Sequence, residues 1–172
     1  MRALLWCVPA FSPGFLPGLL MLLWVGCHAA PAASSPKASP TPDAGSKSPA
    51  ARVIIHSHAS AAVFDVELAL DEPSQEQGLM FRKEVPPDTG MLFVFPTESR
   101  HVFWMKNTLV PLDMLFLSRS RKIVGIIENA EPLTLTPRDP HAPAQYVLEI
   151  AGGTSFARGF KVGDQVDFEN VP

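Results

Sequence analysis

Cysteine is almost absent from this sequence, and its placement excludes several kinds of site. The chain of 172 residues has two cysteines, Cys7 and Cys27, and none from residue 28 onward. The part of the chain after Cys27 therefore has no disulfide framework, no thiolate metal site and no cysteine nucleophile. Residues 52–172 are long enough to bury about two-thirds of their unfolded surface, so they need neither a disulfide nor a metal to fold.

Positive charge is also scarce. From Arg52 onward the chain has eleven Lys and Arg against sixteen Asp and Glu. The only basic cluster, Arg119, Arg121 and Lys122, falls where a turn is expected. Nucleic acid binding needs a concentrated basic face. We therefore expect no nucleic acid partner.

The N-terminal apolar stretch is too short to cross a bilayer as a helix. Prolines interrupt it, and its longest clean run is residues 19–25, whereas a membrane-spanning helix needs about 20 apolar residues. A short apolar run after an early Arg2 is typical of a cleaved secretory signal. We predict a signal peptide over residues 1–27.

The end of this signal suggests a lipid anchor. Gly26-Cys27 is similar to the lipobox of bacterial lipoproteins, in which the cysteine becomes the lipid-bearing first residue of the mature chain, although Trp24 stands where the lipobox prefers Leu. We predict lipidation at Cys27, and an ordinary cut near Ala29 or Ala30 is the alternative. The chain would then be exported to the cell envelope or periplasm, bound to the membrane through its lipid, or else secreted.

Two further segments follow the signal. Residues 28–51 are rich in Pro, Ala and Ser and have too little apolar surface to offset the entropy of ordering, which predicts a disordered linker. Residues 52–172 have the size of one domain. Short runs with a period of two, separated by Pro and Gly, predict about seven short strands and one or two short helices. The expected fold is mainly β, an antiparallel β-sandwich or a partly open β-barrel.

The stretch from His101 to Leu117 has the strongest pattern in this domain. Two apolar runs, residues 102–105 and 112–117, enclose a polar segment and predict a β-hairpin. Strand alternation would then place Lys106 opposite Asp113 and beside Trp104. This arrangement would suit a small polar ligand, but it could equally be a structural ion pair, which contributes about 1 kcal/mol or less when exposed.

Other polar residues extend the list of candidates. His101 could be a general base or a metal ligand. Asn107 and Thr108 are ordinary turn residues that could also contact a bound small molecule. Arg82 and Glu149 lie beside predicted buried strands or turns. His56 with His58, or the methionines, could bind a metal, but no complete ligand set is apparent, so we predict neither a metal nor a cofactor.

Several blocks in order resemble the domain of unknown function 192 family. They are Gly78-Leu79-Met80-Phe81-Arg82, Gly90-Met91-Leu92-Phe93-Val94-Phe95, Phe103-Trp104-Met105-Lys106-Asn107-Thr108, Pro111-Leu112-Asp113, Tyr146-Val147-Leu148-Glu149 and Gly163-Asp164. The resemblance covers roughly residues 63–168. It implies a compact, mainly β domain, often in secreted or envelope proteins of bacteria, and no particular activity. Its motif positions in this chain are Gly78, Met80, Arg82, Trp104, Lys106, Asn107, Thr108, Asp113 and Glu149.

Three functions remain open at this point. The leading hypothesis is a non-enzymatic module that binds a small polar ligand or an envelope component around Trp104, Lys106, Asn107 and Asp113. The second is a hydrolase of a glycan or related polymer, with Asp113, Glu149 or His101 as acid and base. The third is a structural or assembly module without a ligand site.

Overall fold

A computed structural model describes residues 50–58 and 60–172. Within these residues the elements follow in the order β1 (Ala51–His56), β2 (Ala61–Ala69), α1 (Glu72–Gln77), β3 (Thr89–Ser99), β4 (Leu112–Leu117), β5 (Ile123–Ala130), β6 (Ala144–Ala151), α2 (Thr154–Arg158) and β7 (Gln165–Glu169). The expected mainly β domain with about seven strands and two short helices is confirmed. In this described part, no helix is long and apolar enough to cross a membrane. The predicted signal, the lipidation site at Cys27 and residues 28–49 of the predicted linker lie outside the described residues, whereas Ala51, the last residue of that linker, already belongs to β1.

The strands form a single curled sheet in the order β5-β4-β6-β3-β2-β1-β7. Backbone hydrogen bonds link its two edges: Ile123 donates to the carbonyl of Asp164 at 3.0 Å, and Val166 donates to that of Arg121 at 2.8 Å. The sheet is thus a half-barrel, as the partly open barrel prediction expected. One pair, β2 with β3, is parallel, because the crossover through α1 returns the chain in the same direction. The sheet is therefore mixed and not wholly antiparallel.

The predicted hairpin between residues 102–105 and 112–117 is wrong. The second run does form β4, but β4 pairs with β5 on one side and with β6 on the other. With both of its edges occupied, β4 has no hydrogen-bonding groups left for residues 102–105. Residues 102–105 instead lie outside the sheet, and Phe103 makes an isolated bridge to Arg138.

The sheet has an apolar layer on each face. One layer contains Leu115, Leu148 and Ile150, and the other contains Met114, Phe116 and Val147. This is why every residue of β4 is buried, since a central strand covered on both faces needs apolar side chains on both. Phe103 and Met105 pack on the second layer together with Met114 and Phe116.

Close contact between β3 and β6 positions the residues of the second layer. A β-carbon at Gly90 would lie 2.3 Å from the carbonyl oxygen of Glu149, so only glycine allows β3 to approach β6 this closely.

Helix α1 is capped at its N-terminus by Asp71, whose carboxylate accepts from the backbone N–H of Ser74 at 2.9 Å in a capping box. It ends at Gly78, as its sequence predicts.

Candidate functional site

The structure separates the two charges that the sequence pattern placed together. Asp113 is fully buried, whereas Lys106 is exposed and its Nζ lies 5.8 Å from the centroid of the Trp104 ring. Within residues 50–58 and 60–172 no ion pair joins Lys106 to Asp113. The predicted ammonium–carboxylate pair is therefore wrong, because it depended on the hairpin that does not form.

Asp113 has a structural role instead. Its Oδ1 accepts from the backbone N–H groups of Asn129 at 2.7 Å and Gly153 at 2.8 Å, and its Oδ2 accepts from that of Ser155 at 2.6 Å. Helix α2 begins at Gly153, which provides no side-chain cap. Asp113 therefore caps α2 from a neighbouring strand and also ties β4 to the end of β5.

The proposed pairing of Asp113 with Glu149 as acid and base also fails. The register sets Asp113 opposite Ile150 and Glu149 opposite Met114. Side chains alternate along a strand, so the two carboxyl groups point to opposite faces of the sheet. Asp113 and Glu149 cannot flank one glycosidic bond, which the hydrolase hypothesis required of this pair.

Two other candidates, Arg82 and Asn107, lie at the surface or in a turn. Arg82 donates to both carboxylate oxygens of Glu67 at 2.6 Å, and this ion pair raises the pKa of Arg82 and lowers that of Glu67. Asn107 has a φ of +55° and its carbonyl accepts from Phe81, which is typical of a turn residue. Arg82 and Asn107, like Lys106, do not line the cavity described next.

A cavity of about 260 Å³ lies on the second face of the sheet, beneath α1 and the segment after β3. It brings together four of the predicted candidates, namely His101, Trp104, Thr108 and Glu149. Its remaining wall comes from α1, from β3 and from the segments that follow each of them. The sequence patterns did not connect α1 or β3 with a site. These additional lining residues are Glu72, Gln75, Glu76, Gln77, Gly78, Leu79, Met80, Phe93, Phe95, Val102 and Phe103.

Glu149 is a buried ionisable residue that lines this cavity. Its residue is 4% exposed, and its side chain forms no hydrogen bond with any residue of the described chain. Desolvation disfavours the carboxylate and raises the pKa of Glu149 to about 8. The sequence contained a signal for the burial of Glu149, because this glutamate lies inside the apolar run of β6. A strand that is apolar on both faces is covered on both, so either orientation buries the side chain.

The end of α1 lies directly above this carboxyl group. A β-carbon at Gly78 would lie 3.7 Å from Oε2 of Glu149 and 3.2 Å from Cζ of Phe93. Gly78 has a φ of +48°, a conformation that glycine adopts readily. The glycine thus both ends the helix and leaves room over the carboxyl group.

Aromatic rings form the opposite wall. His101 stacks on Phe95 with ring centroids 3.6 Å apart, and Phe103 meets Phe93 edge to face at 5.1 Å. Nε2 of His101 lies 3.1 Å from the carbonyl oxygen of Ala144, so Nε2 must carry a proton and donate it. Burial lowers the pKa of His101, which keeps the ring neutral at pH 7.

The described residues contain no group of three or more His, Cys, Asp or Glu that could hold a metal ion. Nε2 of His56 donates to the carboxylate of Asp167 at 2.8 Å. Met91, Met105 and Met114 are buried in the core. The site is therefore an aromatic cavity with a single buried carboxyl group.

This chain is a mainly β half-barrel with an aromatic cavity, and comparison with known sequences identifies its family. Residues 53–168 match the model of the domain of unknown function 192 family (DUF192), described as "Uncharacterized ACR". The chain belongs to this family, which confirms the resemblance of its motifs. Nothing in the family description specifies an activity.

Similar proteins occur in archaea. A "UPF0127 protein" of Thermococcus sibiricus is 30% identical over 98 residues, which are 54% of this chain and 58% of that protein. A second "UPF0127 protein", from Pyrococcus furiosus, is 28% identical over 99 residues, 55% of this chain and 78% of the relative. The chain thus spans less than two-thirds of the length of the Thermococcus protein.

Two solved structures have the same fold. A "putative transcription regulator" from Sinorhizobium meliloti is 40% identical with a TM-score of 0.66, over 69% of this chain and 92% of that one. A "protein of unknown function" from Novosphingobium aromaticivorans is 38% identical with a TM-score of 0.66, over 67% and 83% of the two chains.

The role of Asp113 predicts a loss of stability on substitution. Asp113→Asn removes the negative charge and turns an amide N–H₂ toward backbone donors, so the free energy of unfolding should fall by about 2–4 kcal/mol. Asp65→Asn is the matched control, because the Asp65 side chain is 61% exposed in its ion pair with Arg52 and should cost less than about 1 kcal/mol. Urea unfolding measures both, and equal losses would contradict the capping role.

The raised pKa of Glu149 predicts a pH dependence. Folding raises this pKa from 4.5 to about 8, so the folded state binds the extra proton and its stability decreases as the pH rises between these values. The decrease is at most about 1.4 kcal/mol per pH unit. Urea unfolding from pH 5 to pH 9 should show wild type losing stability relative to Glu149→Gln. Parallel curves would show that Glu149 is not desolvated. His101 is present in both proteins, so its titration cancels.

Proposed function

We propose that this domain binds a small ligand in the cavity above Glu149. The observation that supports the proposal is a carboxyl group that is 4% exposed and has no hydrogen-bond partner in the described chain. A buried polar group without a partner is costly, and such groups in native proteins call for an explanation. A ligand that hydrogen-bonds Glu149 would remove that cost.

The walls of the cavity are suited to a compact ligand. Its volume of about 260 Å³ lies just below the usual range for small-molecule sites, about 300–1,000 Å³. Ligand pockets are mostly apolar with a few placed polar groups. Leu79, Phe93 and Phe95 provide the apolar surface, and Glu149 and Thr108 provide polar groups. This location replaces the predicted site between Lys106 and Asp113.

Binding is better supported than hydrolysis. The hydrolase hypothesis needs two groups that share a proton-transfer task. Asp113 faces the other side of the sheet from Glu149, and Nε2 of His101 is engaged by the carbonyl oxygen of Ala144. A purely structural role would leave the buried carboxyl group without a function. A larger envelope component could still bind through a small group that enters the cavity.

We also propose that the domain works outside the cytoplasm, tethered to a membrane through Cys27. The support is the sequence alone, in which residues 19–25 form the apolar part of a signal and Cys27 follows Gly26. A single lipid chain binds membranes only marginally, so a stable anchor would need more than one.

The binding proposal predicts localised changes in nuclear magnetic resonance spectra. A fragment library with neutral, cationic and anionic members should contain compounds that shift the Trp104 indole N–H together with the backbone amides of Gly78, Thr108 and Glu149. The indole signal is assigned from a Trp104→Phe variant, because the full chain also has Trp6 and Trp24. The amides of Gly163 and Gln165, which lie at a separate surface depression, serve as the control. A library that shifts neither group, or both equally, would refute a ligand site here.

The tether predicts a defined mature N-terminus. Full-length chain expressed in a bacterium should be recovered in the membrane fraction, with an intact mass that begins at Cys27 and includes acyl chains. Cys27→Ala should release it from the membrane, and Cys7→Ala is the matched control. An unacylated N-terminus near Ala29 or Ala30 would show ordinary cleavage instead.

A further inference from the structure

We infer that the ligand is a small organic ammonium ion with an apolar tail, its N–H groups donating to the carboxylate of Glu149 and its tail lying among the aromatic rings. This inference rests on the proposed function, since it names the chemical class that the same cavity would take. The charge of the lining, the aromatic wall and the unpartnered carboxyl group each support it.

The charged residues that line the cavity are all acidic. Glu72 and Glu76 lie on α1 at its rim, Glu149 is buried within it, and no Lys or Arg is among the lining residues of the described chain. Clefts lined by charges of one sign focus the potential and concentrate ions of the opposite sign. A cation is therefore favoured over an anion.

Arg82 and Lys106, the two basic residues among the predicted site candidates, are directed elsewhere. Arg82 is held by Glu67 in a two-point ion pair on the surface, and Lys106 lies over the ring of Trp104 without lining the cavity. Neither residue supplies the positive partner that Glu149 lacks. That partner must come from outside the described chain.

The aromatic wall suits a cation with an apolar body. Trp104 is 56% exposed, and one face of its ring already attracts the ammonium group of Lys106. Phe93, Phe95 and Phe103 continue this wall inward. Aromatic faces attract ammonium groups when they lie within about 6 Å, most strongly where water is excluded, and they also bury aliphatic carbon.

The rival ligand is neutral, and pH separates the two. A neutral ligand with an acceptor atom would bind the protonated form of Glu149, which prevails below its pKa of about 8. An ammonium ion binds the ionised form, so it must release a proton from Glu149 at pH 7. The other titratable groups that face the cavity are Glu72 and Glu76 on α1, and His101. Burial lowers the pKa of His101, so this ring stays neutral between pH 7 and pH 9.

Three probes of equal chain length test the inference by isothermal titration calorimetry with the full chain. They are hexylammonium, 1-hexanol and hexanoate. Hexylammonium should bind most tightly, and its affinity should increase about tenfold from pH 7 to pH 9, because the ionised fraction of Glu149 rises while an alkyl ammonium, like Lys, keeps its proton. Titrations in two buffers of different ionisation enthalpy should show nearly one proton released per ligand at pH 7.

Matched variants assign the effect to Glu149. Glu149→Gln keeps the shape of the side chain and should abolish both the preference for hexylammonium and the proton release. Glu128→Gln makes the same change at an exposed position of β5 outside the cavity and should retain both. If Glu149→Gln fails to fold, Glu76→Gln at the rim tests the same charge, and it should weaken hexylammonium about two- to threefold at low salt, an effect that 0.5 M salt screens.

The outcomes separate this inference from the proposed function. Tighter binding of 1-hexanol or hexanoate, or affinity for hexylammonium that falls from pH 7 to pH 9, would overturn the ammonium assignment while leaving a ligand site in place. Absence of binding by all three probes, when library fragments do shift the cavity resonances, would also overturn only the assignment. Absence of any cavity ligand in both experiments would overturn both.

Discussion

The carboxylate of Asp113 provides the contact on which the geometry of this half-barrel depends. Its two oxygens accept from three backbone N–H groups, those of Asn129 in β5 and of Gly153 and Ser155 at the start of α2. An ionised acceptor forms stronger hydrogen bonds than a neutral one, and a buried one must find such partners. Asp113 therefore fixes the end of β5 and the start of α2 relative to β4. These central strands then hold β6, and with it Glu149, in register.

Two buried carboxyl groups on neighbouring strands thus have opposite environments. Asp113 is surrounded by donors on one face of the sheet, while Glu149 faces an aromatic cavity on the other and has no donor in the described chain. Three backbone N–H groups donate to the first. The second is driven toward its neutral form, and its pKa rises accordingly. The two carboxyl groups thus differ in the supply of N–H groups around them.

Local features of this fold could be predicted from the sequence. The limits of α1 follow from Asp71 and Gly78, and β4 coincides with the apolar run 112–117. Each of these properties depends on residues close together in the chain.

The site could not be predicted to the same degree, because it depends on which strands pair. The hairpin with residues 102–105 was the simplest local solution for β4, but β5 and β6, which occur later in the chain, occupy both of its edges. The candidate site residues therefore have different neighbours from those predicted. His101, Trp104, Thr108 and Glu149 meet at the cavity, whereas Lys106 and Asp113 do not. The contribution of α1 to the cavity wall also depends on the tertiary packing above β3.

The way the two edges of the sheet meet has a consequence for association between molecules. An uncovered edge strand offers unpaired N–H and C=O groups to another chain and is a common starting point for aggregation. Here β5 and β7 lie at opposite edges, yet Ile123 and Asp164 bond to each other across the gap, and so do Arg121 and Val166. Each edge thereby caps part of the other. This self-capping protects the domain against strand-to-strand polymerisation without the full closure of a barrel.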